Sequence, residues 1–179
     1  MVEAVQSNPQ IKRDFKRAKA GLAIVGIGLV GKRHAEAIEH LDNADLVAVV
    51  DPSSDGKEYA QSFGLPWYET LNGMLEKENP DGIIIATPTL LHVDQGLECI
   101  KKGIPVMVEK PLATSAQEAQ SLVNLSEDLG VPLMVGHHRR HNPLIQKAKE
   151  IILQGKLGKI RSVHMQCWFY KPDDYFEIA

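Results

Sequence analysis

The chain has 179 residues, a formal net charge of −3, and 44% hydrophobic and 24% charged residues. That length and balance suit one soluble globular domain with a small addition, able to bury a core without staples. The mild acidity gives no footprint for nucleic acid, and no apolar run reaches the roughly 18–20 residues of a membrane-spanning helix. Cys99 and Cys167 match no metal or redox spacing, so two buried or inert thiols in a reducing, cytoplasmic setting are expected.

Residues 1–20 carry Lys12, Arg13, Lys16, Arg17 and Lys19 against Glu3 and Asp14, with no apolar core of the secretory kind. They read as a solvated arm or short helix. From Gly21 the pattern alternates strand and helix. Gly21–Ile27 is an apolar run of the sort buried on both faces of a parallel sheet. Val30–Leu41 follows with apolar residues at helical spacing, then a strand over Asp45–Asp51 and a helix over Asp55–Phe63 stopped by Gly64. Pro66–Tyr68 is a short strand, and Thr70 caps a helix over Leu71–Lys77.

The second half repeats the scheme. Strands are expected at Asp81–Ala86, Pro105–Glu109 and Pro132–Val135. Helices are expected at Leu91–Lys102, ended by Gly103, and at Ser115–Leu129, capped near Thr114 or Ser115 and closed by Gly130. Gly136–Asn142 reads as a loop, and Pro143–Gln154 as a helix with Pro143 in its first turn. Ile160–Tyr170 alternates in character and reads as a strand. The alternation predicts a doubly wound parallel α/β sheet, whose ligands bind beyond the carboxyl ends of the strands.

Residues just past those ends are therefore the ones that matter. Gly26, Gly28 and Gly31 form a Gly-x-Gly-x-x-Gly turn between strand and helix. The first permits a tight turn, the second lets backbone approach a pyrophosphate, and the third lets helix pack on strand. The helix N-terminus then offers free N–H groups to phosphate. Asp51, twenty residues beyond Gly31, stands where a carboxylate binds adenosine ribose hydroxyls. Strand, glycine turn, helix, strand and terminal Asp in that order indicate a dinucleotide site.

Glu109-Lys110-Pro111 closes a strand and opens a helix. Lys110 there could exchange the proton that accompanies hydride transfer, its pKa lowered by partial burial and a nearby cation; a surface ion pair between Glu109 and Lys110 is the bland alternative. His92 follows Thr87-Pro88-Thr89, whose hydroxyls could cap a helix or contact a ribose or phosphate. Alone, His92 is as readily an ordinary core or surface histidine. His137, His138 and His141 flank Arg139 and Arg140. A metal site is disfavoured by the adjacent arginines and by the lack of a nearby acidic or Cys partner. Arg139 and Arg140 instead suit an anionic or hydroxyl-rich substrate, or a solvated loop.

The ordered set Gly26-x-Gly28-x-x-Gly31-x-x-His34, Asp51, Thr87-Pro88-x-x-x-His92, Glu109-Lys110-Pro111 and Gly136-His137-His138-Arg139-Arg140-His141-Asn142-Pro143 resembles the glucose–fructose oxidoreductase, inositol dehydrogenase and MocA-like family of NAD(P)-dependent oxidoreductases. The resemblance covers about residues 20–170. It implies that Gly26, Gly28, Leu29, Val30 and Gly31 hold the pyrophosphate and Asp51 the adenosine ribose. It implies that Thr87, Pro88 and His92 line the cofactor cleft, that Glu109 lies near the nicotinamide ribose, that Lys110 is both the catalytic lysine and a cofactor contact, and that Arg139 faces substrate. No metal is implied. The substrate would be a sugar, inositol or related polyol oxidised at a secondary alcohol. No Arg follows Asp51 to receive a 2′-phosphate, so NAD is favoured over NADP.

The expected organisation is an arm over 1–20, a dinucleotide-binding domain over 21–142, and a linking helix with the start of a second domain over 143–179. Relatives by resemblance are about twice as long, with a mainly antiparallel substrate domain and, when complete, a homo-oligomeric state. The sequence thus reads as a fragment or truncated product, with Ile160–Tyr170 the first strand of that missing sheet and an edge exposed to self-association. A nucleotide-binding module or regulatory fragment without catalysis is the alternative reading.

Overall fold

In a computed structural model, which describes residues 18–166, 168 and 170, six parallel strands form one sheet in the order β3-β2-β1-β4-β5-β6. The strands are β1 (Ala20–Val25), β2 (Ala44–Val50), β3 (Trp67–Tyr68), β4 (Gly82–Ile85), β5 (Val106–Val108) and β6 (Leu133–Val135). The helices are α1 (Leu29–Glu39), α2 (Ser54–Ser62), α3 (Leu71–Leu75), α4 (Thr89–Lys101), α5 (Ala116–Leu129) and α6 (Pro143–Leu153). The doubly wound α/β architecture expected from the alternation is the one observed. The described residues fall into two compact units, one up to His137 and one from His138.

The sheet is buried on both faces because successive side chains of a strand point to opposite sides. Ala23, Val25, Ile83 and Ile85 enter one apolar cluster with Met74, Ile100 and Leu122 of α3, α4 and α5. Ile24, Val49 and Ile84, their neighbours in sequence, enter a second with Ala35 and Ile38 of α1 and Ala60 of α2. Registers run Val25 beside Ile85 and Val50, and Ile85 beside Val108, which brings the strands' carboxyl ends to one rim. Cys99 is fully buried in this core, and burial pushes its thiol up to about 12, so it stays protonated.

Local chemistry sets the helix ends. Ser53, Thr70, Ser115 and Asn142 cap α2, α3, α5 and α6 through side-chain oxygens. Gly130 closes α5 in the left-handed region at φ 64°. Helix α4 begins two residues ahead of expectation, because Pro88 serves as its N-cap.

One expected element is not formed. Residues 160–166, 168 and 170 carry no strand, and Val163, Met165, Trp168 and Tyr170 are exposed. A strand is held by a ladder to a neighbour, and no described strand pairs with this stretch. The loop expected at 136–142 contains a short 3₁₀ turn, His138–His141. Residues 1–17 of the arm expected over 1–20, the segment 171–179, Cys167 and Phe169 lie outside the described residues.

Candidate cofactor cradle and lysine turn

The sheet reverses direction between β1 and β4: from β1 the chain winds outward to β2 and β3, from β4 to β5 and β6. The crevice at such a reversal is where open α/β sheets bind ligands. Its two lips are the Gly26–Gly31 turn after β1 and the Ala86–Thr89 turn after β4. Gly26 sits at φ 88°, and a Cβ there would stand 2.8 Å from the Ala86 carbonyl and the Thr87 nitrogen. A Cβ on Gly31 would stand 2.0 Å from the Gly26 oxygen. Gly28 differs: a Cβ there meets nothing within 4 Å. The chain itself therefore requires Gly26 and Gly31, whereas Gly28 faces open space.

The helices that open on this crevice are also the ones without side-chain caps. Helix α1 has Gly28 as N-cap and α4 has Pro88, and neither holds an acidic residue in its first turn. Their first N–H groups and positive dipole ends lack the side-chain acceptor that the other four helices carry. Leu29 and Leu90, in the two first turns, are 72% and 78% exposed. Open space over a glycine, uncapped N–H groups and flanking apolar surface fit a dinucleotide's pyrophosphate.

Asp51 follows β2. Its Oδ2 accepts the Ile27 N–H at 2.8 Å, and its Oδ1 accepts the Ser53 N–H at 2.9 Å and the Ser53 hydroxyl. Burial pushes this carboxyl up, but the bonds from Ser53 and Ile27 and the Lys32 charge outweigh it and leave the group below its usual range. Gly56 lets α2 approach: a Cβ there would lie 2.4 Å from Asp51 Cβ. The Trp67 indole N–H donates to the Asp51 carbonyl at 2.9 Å. Asp51 thus ties the end of β2 to the glycine turn.

Glu109 follows β5, its N–H donating to the Ile85 carbonyl at 2.9 Å. Its Oε1 accepts from His34 Nε2 at 2.9 Å, and its Oε2 accepts the Lys110 backbone N–H at 3.1 Å. The carboxylate is paired with His34 rather than with the Lys110 ammonium, which answers the surface-ion-pair alternative. Gly136 leaves it room, since a Cβ there would stand 2.6 Å from Glu109 Oε1. The Lys110–Pro111 peptide is cis. Lys110 is exposed, contrary to the partial burial expected of it, because it stands at the open rim of the sheet.

His92 is 1% exposed. Its Nδ1 lies 2.9 Å from the Pro111 carbonyl oxygen and its Nε2 2.8 Å from the Thr87 carbonyl oxygen. Both neighbouring oxygens are backbone carbonyls, so the ring nitrogens face the two turns instead of the cleft. The Thr87 hydroxyl donates to Gln95 Oε1 at 2.7 Å. Arg139 lies in the second unit, exposed in the 3₁₀ turn. Among the described residues no three His, Cys, Asp or Glu side chains gather to hold a metal. His34 had no role assigned from sequence. The signal was its place in the glycine pattern, three residues past Gly31 and so on the same side of α1.

Residues 20–137 match the oxidoreductase family with an NAD-binding Rossmann fold, of the Gfo/Idh/MocA type. The chain belongs to this family. It is 32% identical over 151 residues to the rhizopine catabolism protein MocA of Rhizobium meliloti, covering 84% of this chain and 48% of that protein. It is 34% identical over 140 residues to scyllo-inositol 2-dehydrogenase (NAD(+)) of Bacillus subtilis, covering 76% and 41%. Among solved structures, the WlbA dehydrogenase of Bordetella pertussis in complex with NADH and UDP-GlcNAcA aligns at TM-score 0.85 and 32% identity, over 90% of this chain and 47% of that one. The chain spans slightly under half the length of these relatives. Its sheet is an NAD-binding Rossmann fold. No described helix is long and apolar enough to cross a membrane.

Proposed function

We propose that this chain is the cofactor half of an NAD-dependent dehydrogenase that oxidises a secondary alcohol of a sugar, inositol or related polyol. The observation that carries the reading is the placement of Lys110 at the carboxyl end of β5, in the sheet whose β1–β4 reversal holds the glycine cradle. The relatives' names add support, since they include an inositol dehydrogenase and a dehydrogenase crystallised with a sugar-acid nucleotide.

The roles follow from the chemistry of each group. Uncapped N–H groups of α1 bind pyrophosphate, with Gly28 leaving room for close approach and Leu29 and Val30 flanking it. Asp51, anionic at neutral pH, accepts the adenosine ribose hydroxyls and repels a 2′-phosphate, so NAD is preferred to NADP. Thr87, Pro88 and His92 shape the opposite lip. NAD, when bound, supplies the acceptor for the substrate's hydride. Lys110 Nζ takes the proton of the substrate hydroxyl, and returns it in the reverse direction. Glu109 holds the backbone that carries that lysine beside the nicotinamide ribose. Arg139 contacts substrate. The protein acts in the cytoplasm, as a homo-oligomer when full length.

The test is Lys110→Ala in the full-length protein, assayed with NAD and a panel of inositols, glucose 6-phosphate and UDP-GlcNAcA. Loss of a general base removes about 10²–10⁴-fold in turnover, with NADH affinity within about twofold because the lysine lies outside the cradle. Unchanged turnover overturns the assignment. Tight NADH binding with no oxidation of any panel member favours a nucleotide-binding module without catalysis.

A further inference from the structure

Four observations converge on one carboxylate. Glu109 lies between α1 and the lysine turn, accepting from His34 of α1 on one oxygen and from the Lys110 backbone N–H on the other. The pair is largely shielded, with side-chain exposures of 22% for His34 and 13% for Glu109. Gly136 closes over Oε1 at a distance no side chain could share. His34 sits on the helix whose N-terminus opens on the crevice, three residues beyond Gly31.

We infer that the His34–Glu109 pair is a mechanical coupling between the phosphate cradle and the catalytic lysine, with His34 a positioning residue for Lys110; this rests on the function proposed above. The physical argument is short. A phosphate bound at the start of α1 immobilises that helix through its N–H groups. The helix is rigid over the fewer than two turns from Gly28 to His34, so the imidazole is held with it. A shielded bond to a carboxylate is stronger than a surface ion pair and has a defined direction. Glu109 is thereby fixed, and its second oxygen fixes the amide of Lys110. The other side of the turn is tied separately, by His92 beneath the Pro111 carbonyl. The Glu109 N–H is tied to the Ile85 carbonyl of β4, so once α1 is held the freedom left to the Glu109 side chain and the Lys110 amide is that of the His34–Glu109 bond. Cofactor binding then orders Lys110 without touching it, and substrate meets a lysine already in place.

Hydrogen exchange on the full-length protein, with and without NADH, tests this independently of the substrate. In the natural sequence NADH should slow exchange at residues 26–34 and also at the Lys110 amide. In His34→Ala the Lys110 amide should exchange at least tenfold faster, and NADH should still protect residues 26–34 while no longer protecting Lys110. His34→Gln, which keeps an N–H donor at similar reach, should restore both. Turnover on a panel substrate should show the same split, with kcat lowered at least tenfold in His34→Ala, KM for NAD nearly unchanged, and recovery in His34→Gln. Should His34→Ala loosen the amides of β1 and β4 as well, Glu109→Gln replaces it, with at least threefold faster exchange at Lys110 expected against an unchanged core. Equal NADH protection of Lys110 in the natural sequence and in the variants overturns the coupling while leaving the cofactor site intact. If NADH protects nothing at residues 26–34, it is the cofactor reading that falls, and the coupling with it.

Discussion

Gly31→Ala and Gly28→Ala separate what the chain requires from what a ligand requires. A Cβ on Gly31 would stand 2.0 Å from the Gly26 oxygen, where ordinary contact begins at 3.4 Å. The obstacle is backbone, so turn and helix must part by about 1.4 Å, the difference between those distances. Overpacking costs about 1–3 kcal/mol, and a backbone obstacle sets it at the upper end. Alanine's better helix propensity offsets about 1 kcal/mol of that. The net is about 2 kcal/mol, which lowers Tm by about 4–8 °C in a domain of this size. Gly28→Ala meets no such obstacle, and Gly28 has an ordinary φ of −67°. Its cost at an N-cap is under about 1 kcal/mol, a Tm change of less than about 4 °C. Its methyl group nonetheless occupies the space through which a phosphate oxygen must reach the α1 N–H groups. Loss of one charge-assisted hydrogen bond, about 1.5–3 kcal/mol, weakens NADH binding by at least about tenfold. Thermal melting paired with a fluorescence titration of NADH reads both quantities. A Gly28→Ala variant with unchanged Tm and unchanged NADH affinity would refute the assignment of that open space to the cofactor.

Gly56→Ala drives a methyl group against Asp51 and should lower both Tm and NADH affinity, measured by the same pair of assays; a loss of affinity alone would show that the clash is relieved within the ligand pocket. Ser53→Ala removes two bonds of the Ser53 hydroxyl, the α2 cap accepted from the Gly56 N–H, worth about 1 kcal/mol, and the one donated to Asp51; an NMR titration should find the Asp51 carboxyl shifted upward. Bonds from Ser53 and Ile27 hold the Asp51 carboxyl below its usual range in the folded protein, so it contributes stability above the unfolded carboxylate range, and the contribution is lost as pH falls through the lower folded value. Melts at pH 6 and pH 3, roughly either side of the carboxylate range, should therefore show a smaller acid loss for Asp51→Asn than for the natural sequence, and parallel losses would contradict the shift. Gly130→Ala forces a left-handed cap on alanine at a cost of about 1–2 kcal/mol, seen as a lower Tm with NADH affinity intact.

Most of the sheet was legible because its causes are local. Buried parallel strands read as apolar runs such as Ile83–Ile85, and the caps at Thr70 and Ser115 sit where short-range hydrogen bonding puts them. The exceptions depend on partners distant in sequence. Ile160–Tyr170 has a strand's alternation, but alternation describes a face, and a strand also needs a neighbour to pair with. His92 has a cofactor-lining place in the family pattern, yet its ring is taken by carbonyls five and nineteen residues away, which meet only once α4 is docked. The Glu109 partner is seventy-five residues away on α1, so adjacency made Lys110 the obvious candidate while folding supplied His34.

The glycine turn shows how fold and function can be told apart within one motif. Gly26 and Gly31 are explained by the chain: one by φ and a close carbonyl, the other by a helix laid on a strand. Any protein with this turn would need them, so they carry little information about a ligand. Gly28 is required by neither backbone angle nor space, and α1 and α4 have no side-chain caps where the other helices do. Leu29 and Leu90 are apolar where nothing in the described chain covers them. Each of these features is a small cost that folding does not recover. Their coincidence on one crevice is what distinguishes a binding site from a turn. Asp51 is an instructive counterexample, because its carboxylate has a complete structural role in bracing the glycine turn before any ribose is considered. Its contribution to affinity therefore cannot be read from an alanine substitution, which would collapse the turn as well. Asp51→Asn keeps the shape and one acceptor oxygen but turns an NH2 group toward the Ile27 or Ser53 N–H, so it weakens the bracing as well as removing the charge, equally for both cofactors. The informative comparison is NADH against NADPH in that variant, where a narrowed preference for NADH isolates the charge from the scaffold.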